Sequence, residues 1–142
     1  PYPDLESERR MLFETTGAEA KKPVAILSPD DLAAGQRLVR WIPVGESVVE
    51  AILELVRAAR PGEGDDDITK WISWGPGPRA SQALMLGVRA RALIDGRLAP
   101  SVDDVIALAE PVLQHRMDLT FAARAEGVGL SELIGKLTEK LG

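Results

Sequence analysis

The chain has 142 residues, 45% of them hydrophobic and 27% charged, with a net charge of −5, which fits an ordinary globular protein long enough to bury a core. It has no cysteine and a single histidine, His115, so disulfides, thiolate metal sites and multi-histidine metal sites are excluded, and no metal-binding residue is assigned. The acidic balance argues against nucleic acid as a direct partner, and no apolar run approaches the roughly 20 residues of a membrane span. No secretory signal is legible, so a cytoplasmic location without membrane association is expected.

In chain order, Asp4 precedes a helix expected over Leu5–Phe13, with acids early and Arg9-Arg10 late, the order that suits the helix macrodipole. Its apolar side (Leu5, Met11, Leu12 and Phe13) is weak and needs a surface outside the helix. Thr15–Ala25, broken by Gly17 and Pro23, reads as a linker. Ser28-Pro29-Asp30-Asp31 is a capping-box start. The helix behind it carries Leu32, Leu38 and Val39 as a core face and is expected to reach Trp41-Ile42, ahead of Pro43. The next helix opens at Val44–Ser47. Val48, Val49, Ile52, Leu53, Leu55, Val56 and Ala59 form a broad apolar stripe opposite Glu50, Glu54 and Arg57, the last two spaced for an i,i+3 ion pair. Arg60-Pro61 closes it. Gly62–Asp67, GEGDDD, reads as an exposed acidic loop, because its aspartates lack the alternate ligands and distal glutamate of a calcium loop. Ile68–Trp74 alternates loosely and reads as one short extended segment.

Trp71–Gln82 reads WISWGPGPRASQ. Pro76 and Pro78 cannot lie inside a helix, but Pro78 fits a first turn, where no backbone N–H is needed. Gly75 and Gly77 permit backbone angles closed to other residues. Beyond them the pattern is helical through Ala80, Ala83, Leu84, Leu86, Val88, Ala90 and Leu93 to Ile94, and Ala80, Ala83, Gly87, Ala90 and Ala92 are small enough for another helix or a neighbouring domain to approach closely. The segment is a stiff turn that delivers Arg79 to the N-terminus of a buried helix. That end of the macrodipole disfavours a cation, so Arg79 needs an anion, either an acid of this chain or a bound phosphate. A plain surface arginine stays open beside them.

Asp95-Gly96 stops this helix, and Arg97–Pro100 is a short connection. Ser101-Val102-Asp103-Asp104 repeats the Ser-x-x-Asp start for a helix that Pro111 kinks or divides. At its end His115 reads as a cap rather than a catalyst, since no Ser, Cys or acid partner is evident. Leu119–Ala125 reads as helical, Gly127 and Gly129 as a break, and Ser131 as the cap of a last helix that buries Leu133, Ile134, Leu137 and Leu141. Trp41, Trp71 and Trp74 read as core or inter-domain anchors.

WGPGPRASQALML resembles the sensor 2 segment of the MoxR family of AAA+ ATPases. ARALIDGR and SVDDVIALAEPVLQHR continue the resemblance in order, and YPDLESERRML resembles the stretch where the ATPase core of that family hands over to its C-terminal lid. Together these span most of the chain. The resemblance implies an all-α fold, a small AAA+ lid-like helical bundle. Its expected divisions are residues 1–25 (helix and linker from the ATPase core), 26–117 (helical lid with the sensor 2 motif) and 118–142 (C-terminal helical extension). It also implies that Arg79 is the sensor 2 arginine, aimed at the γ-phosphate of ATP, with Pro78 and Ala80 as its nucleotide-binding neighbours.

The chain carries no GxxxxGK[ST] phosphate loop and no apolar strand ending in paired acids. No catalytic residue is therefore assigned. ATP hydrolysis, with ATP and magnesium as cofactors, is expected of the full-length protein, with none bound by this chain alone. The family implies chaperone-like remodelling driven by lid motion, the ATPase core of the same polypeptide as partner, homo-hexameric rings and von Willebrand A-domain partners. Two features depart from its pattern: the acidic GEGDDD stretch, and Gly77 where serine is expected between the prolines. The start at Pro1-Tyr2-Pro3, without an initiator methionine, fits a piece of a longer polypeptide or a processed N-terminus. The competing reading is a free-standing helical protein–protein interaction module with no nucleotide role.

Overall fold

The computed structural model describes residues 2–18 and 24–141, in two compact units that divide between Ala34 and Gly35. In the first, α1 (Leu5–Thr15) begins where Asp4 accepts the Ser7 N–H at 2.7 Å, a bond that holds the Asp4 carboxyl below its usual range. No residue of α1 is buried, and Leu5, Met11, Leu12 and Phe13 all face outward. The expected linker at 15–25 starts later than its first residue, which still belongs to α1, and 19–23 lie outside the described residues.

α2 (Pro29–Val39) starts on the expected capping box: the Asp31 N–H donates to the Ser28 hydroxyl at 3.1 Å, and the Ser28 N–H returns to the Asp31 carboxylate at 3.0 Å. Its expected core face does not form, since Leu32 and Leu38 are exposed and no α2 residue is buried. A cap fixes where a helix begins, whereas burial needs a facing surface that residue spacing does not supply. The helix ends at Val39, and Arg40, Trp41 and Ile42 close it with i→i−3 bonds to Arg37, Leu38 and Val39.

The second unit holds the core. α3 (Glu46–Ala58) buries Val48, Ala51, Ile52, Leu55 and Val56, with Ala59 just past its end. The stripe is narrower than expected. Leu53 is exposed and Val49 only half-buried, while Ala51 takes a core place, because a 3.6-residue period turns 49 and 53 away from the line through 48, 52, 55 and 59. Arg57 pairs with Glu63 at 3.2 Å rather than with Glu54. The acidic stretch is folded: Asp65 accepts the Asp67 N–H at 3.0 Å to cap a short helix, α4 (Asp66–Thr69), and pairs with Lys140 at 2.8 Å. Ile68 and Thr69 are buried there, so the expected extended segment shrinks to β1 (Ile72–Trp74).

α5 (Pro78–Ile94) has the expected bounds and packs most extensively on α6 (Val102–Leu113) and then α3. A Cβ on Gly87 would stand 3.0 Å from Leu108 Cδ1, so the small residue sets how closely α6 approaches. At the end of α5, Arg97 N–H reaches the Ala92 carbonyl at 2.8 Å around Gly96, whose φ of 71° favours glycine. α6 runs through Pro111 as one helix, because the bond lost with the missing N–H falls in its last turn.

β2 (Asp118–Leu119) pairs antiparallel with β1, Ile72 opposite Leu119 and Trp74 opposite Asp118, with an irregular register between them. Leu119 is thus strand rather than helix. α7 (Phe121–Ala125) follows, capped by the Thr120 hydroxyl, which accepts the Ala123 N–H at 3.2 Å. α8 (Leu130–Thr138) and a 3₁₀ turn at Glu139–Leu141 complete the unit. α8 is capped at Gly129, not Ser131, and buries Leu133, Ile134 and Leu137 in the same core as α3, α5 and α6. Strand pairing and the α8 side chains tie 118–141, the expected C-terminal extension, into this unit. The two units divide between Ala34 and Gly35, inside α2, and not at 25/26. The fold is mostly helical, as expected; where one short extended segment was expected, the described residues form a small antiparallel sheet of two strands, and among them no helix is long and apolar enough to cross a membrane.

Candidate functional site

The stretch ahead of α5 is pinned at regular intervals. Ile72, Pro76 and Ala80 are buried, while Ser73, Trp74, Gly77, Pro78 and Arg79 face solvent. Gly75 lies against the end of α3, where a Cβ would stand 2.6 Å from the Ala59 carbonyl oxygen and 2.9 Å from Arg60 Cα. The Arg60 Nε–H donates to the Pro76 carbonyl at 3.0 Å, and the same guanidinium lies 3.4 Å from both carboxylate oxygens of Glu63. On the strand side, the Ser73 hydroxyl reaches the Asp118 and Leu119 carbonyls at 3.1 and 3.2 Å, and the Thr120 N–H donates to the Trp71 carbonyl at 2.9 Å.

Gly77 caps α5 with extended backbone and no capping side chain, and Pro78 takes a first-turn position. A Cβ on Gly77 would meet nothing within 4 Å. Gly77→Ser is therefore expected to stabilise the chain slightly, by a few tenths of a kcal/mol at most about 1, as its hydroxyl takes up a free N–H of the first turn. Thermal unfolding of the two chains side by side measures it.

Arg79 is exposed, and its side chain has no ion-pair partner among the described residues. The acid of this chain that could have answered its charge is therefore not supplied there. Pro78 is exposed beside it, whereas Ala80 is wholly buried and its side chain packs in the core. Along the same helix, Ser81, Gln82, Met85 and Leu86 line an open depression of about 530 Å³ together with Arg40.

Two of the three tryptophans are not core residues: Trp41 is 83% and Trp74 59% exposed, whereas Trp71 is half-buried against the core with Lys70 Nζ 5.4 Å from its ring centre. His115 is not the cap of α6. That role falls to Arg116, which donates to the Val112 carbonyl at 2.6 Å and also contacts His115 Nε2. Among the described residues no group of three or more His, Asp or Glu is gathered as metal ligands would be.

Sequence reasoning saw Asp104 only as a capping acid. It is 2% exposed and holds the two helices of the site together. Arg97 grips it with both ends of its guanidinium, at 2.8 and 2.7 Å, Arg91 Nε lies 3.0 Å away, and the Ser101 N–H donates to it at 2.8 Å. Asp95 braces Arg97 at 2.9 Å. These contacts, led by the Arg97 hydrogen bonds, overcome burial and hold the Asp104 carboxyl at a pKa of about 2. The available signal was two arginines and two aspartates around one helix stop, but sequence spacing does not say which of them meet.

The AAA lid domain family matches residues 66–136, from α4 into α8. Over 142 residues, 97% of this chain, the sequence is 32% identical to Chaperone MoxR1 of Mycobacterium tuberculosis, covering 37% of that protein. Over 140 residues, 96% of the chain, it is 29% identical to Uncharacterized protein YeaC of Bacillus subtilis, covering 41% of it. A crystal structure described as a "putative ATPase" from Cytophaga hutchinsonii shares the fold over the whole chain, with a TM-score of 0.86 at 24% identity, across 44% of its own length. The chain thus spans less than half the length of each of these relatives. It belongs to the AAA lid domain family.

Proposed function

We propose that this lid closes over the nucleotide of a MoxR-type AAA+ ATPase and that Arg79 is its sensor 2 arginine, directed at the γ-phosphate of ATP. The observation that carries the reading is the state of Arg79. It is an exposed cation without an acidic partner among the described residues, set at the N-terminus of a 17-residue helix by a turn pinned at Ile72, Pro76 and Ala80. A guanidinium stays charged and its fork matches phosphate oxygens. The helix end adds backbone N–H groups and a dipole of the same preference.

These residues fit the phosphate end of ATP. They offer no ligand set for magnesium, which falls to the ATPase core of the same polypeptide. Bound there, ATP supplies the phosphoryl group whose hydrolysis takes away the partner of Arg79. The lid angle then follows nucleotide state, and the motion serves chaperone-like remodelling. Similarity to Chaperone MoxR1 supports that wider setting. In this reading the full-length protein works in the cytoplasm as a homo-hexamer with a von Willebrand A-domain partner.

Arg79→Ala in the full-length ATPase is expected to weaken binding of a slowly hydrolysed ATP analogue about tenfold, the low end of a charge-assisted hydrogen bond, and to leave ADP binding unchanged. Titration with both nucleotides decides it. Unchanged analogue affinity removes Arg79 from the nucleotide site.

A further inference from the structure

We propose that Arg60 is a positioning residue for Arg79, acting through the Pro76 carbonyl; the proposal rests on the reading of Arg79 given above. The rings of Pro76 and Pro78 lock φ on both sides of Gly77, and Pro78 and Arg79 already belong to α5. Free rotation between the Pro76 carbonyl and Arg79 is therefore concentrated at Gly77, which has no side chain and open space around it. Whatever holds the Pro76 carbonyl sets the plane of the Pro76–Gly77 peptide, and with it how the Gly77 cap seats the first turn of α5, where the Gly77 carbonyl accepts the Ala80 N–H at 2.9 Å and Arg79 lies between them.

Arg60 holds that carbonyl. Its Nε–H donates to Pro76 at 3.0 Å, and its side chain, 25% exposed, is steadied by Glu63 at 3.4 Å. Gly75, set against the Ala59 carbonyl, blocks any slide of the turn towards α3. Burial of Pro76 and the pairing of β1 with β2 keep the segment in place without Arg60. Removing the Arg60 bond thus frees the torsions at Gly77 while the fold stays intact, and the loss appears at Arg79.

The test uses the full-length ATPase. Arg60→Met keeps the aliphatic stem and removes the donor and the charge; Arg60→Lys keeps the charge without the fixed Nε–H. Each is made alone and with Arg79→Ala. Misplacing a transition-state contact by a fraction of an ångström is expected to lower kcat of ATP hydrolysis roughly three- to tenfold in Arg60→Met, with an intermediate loss in Arg60→Lys. ADP affinity and melting temperature are expected to stay unchanged. In the Arg79→Ala background Arg60→Met is expected to cost nothing further, since its route is already cut.

An equal loss in both backgrounds, or a loss that tracks the melting temperature, makes Arg60 a structural residue only and overturns the proposal. A normal rate in Arg60→Met beside an impaired Arg79→Ala also overturns it while leaving the Arg79 reading intact. If Arg79→Ala changes neither turnover nor preference for the triphosphate, the Arg79 reading fails and Arg60 has nothing to position.

Discussion

Asp104→Ala is expected to destabilise the chain by about 3 kcal/mol and lower its melting temperature by about 10 °C at pH 7. The carboxylate is buried, but the arginines it pairs with are not: Arg97 is 37% and Arg91 46% exposed at the side chain. The stranded cations can turn to water, which keeps the loss at the lower end of what breaking a buried ion pair costs. What is lost is a bidentate charge-assisted pair, the second arginine and the hydrogen bond to Ser101 that starts α6.

Acid titration checks the same site independently. The folded carboxyl sits at about 2 against an ordinary 3.8. A lowered pKa contributes stability that is complete above the unfolded value and is lost as pH falls through the folded one. Wild-type stability from this group should therefore hold from neutrality to about pH 4 and then fall by about 2 kcal/mol towards pH 2. Asp104→Asn, which cannot ionise, should lack that step, so the gap between it and wild type narrows in acid. A gap that stays constant from pH 7 to pH 2 would mean that the charge on Asp104 contributes nothing.

Local chemistry explains what was legible in advance. Ser28 and Asp31 reveal a helix start because the cap involves residues three apart, and α5 is bounded by Pro78 and by Gly96, residues whose backbone limits are intrinsic. The core faces of α3 and α8 follow from their period. Where the outcome depends on what an element meets, the sequence is silent. Leu32 and Leu38 have helical spacing but are exposed, and Asp118–Leu119 is too short to show alternation, so its strand exists only through β1. Of the candidate site, Arg79 and its delivery by Pro78 could be read from the turn chemistry. The burial of Ala80, the Arg60 bond to Pro76 and the Asp104 cluster could not, because each depends on which distant residue arrives opposite.

Alanine at Gly75 is expected to cost about 3 kcal/mol, and alanine at Gly64 at least as much, although neither glycine has a positive φ. Both face carbonyls at the end of α3. The Gly75 Cβ would stand 2.6 Å from the Ala59 oxygen, and the Gly64 Cβ would overlap the Ala58 oxygen and crowd Thr69. A flexible side chain could swing away from such contacts, but a carbonyl at a helix end can move only with its helix. The two variants should differ in character. Gly64→Ala pushes apart α3 and the acidic turn, so the Asp65–Lys140 pair loosens and the main effect is lower stability, read by thermal unfolding. Gly75→Ala pushes apart α3 and the arginine-bearing turn, so it should also strain the Arg60 bond to Pro76 and, under the role proposed for Arg79, reduce ATP turnover of the full-length protein beyond what its stability explains. Near wild-type melting temperatures for both would show that the end of α3 yields by several tenths of an ångström at little cost. The turn could then not be held rigidly enough against α3 for its glycine and Arg60 to determine where Arg79 points.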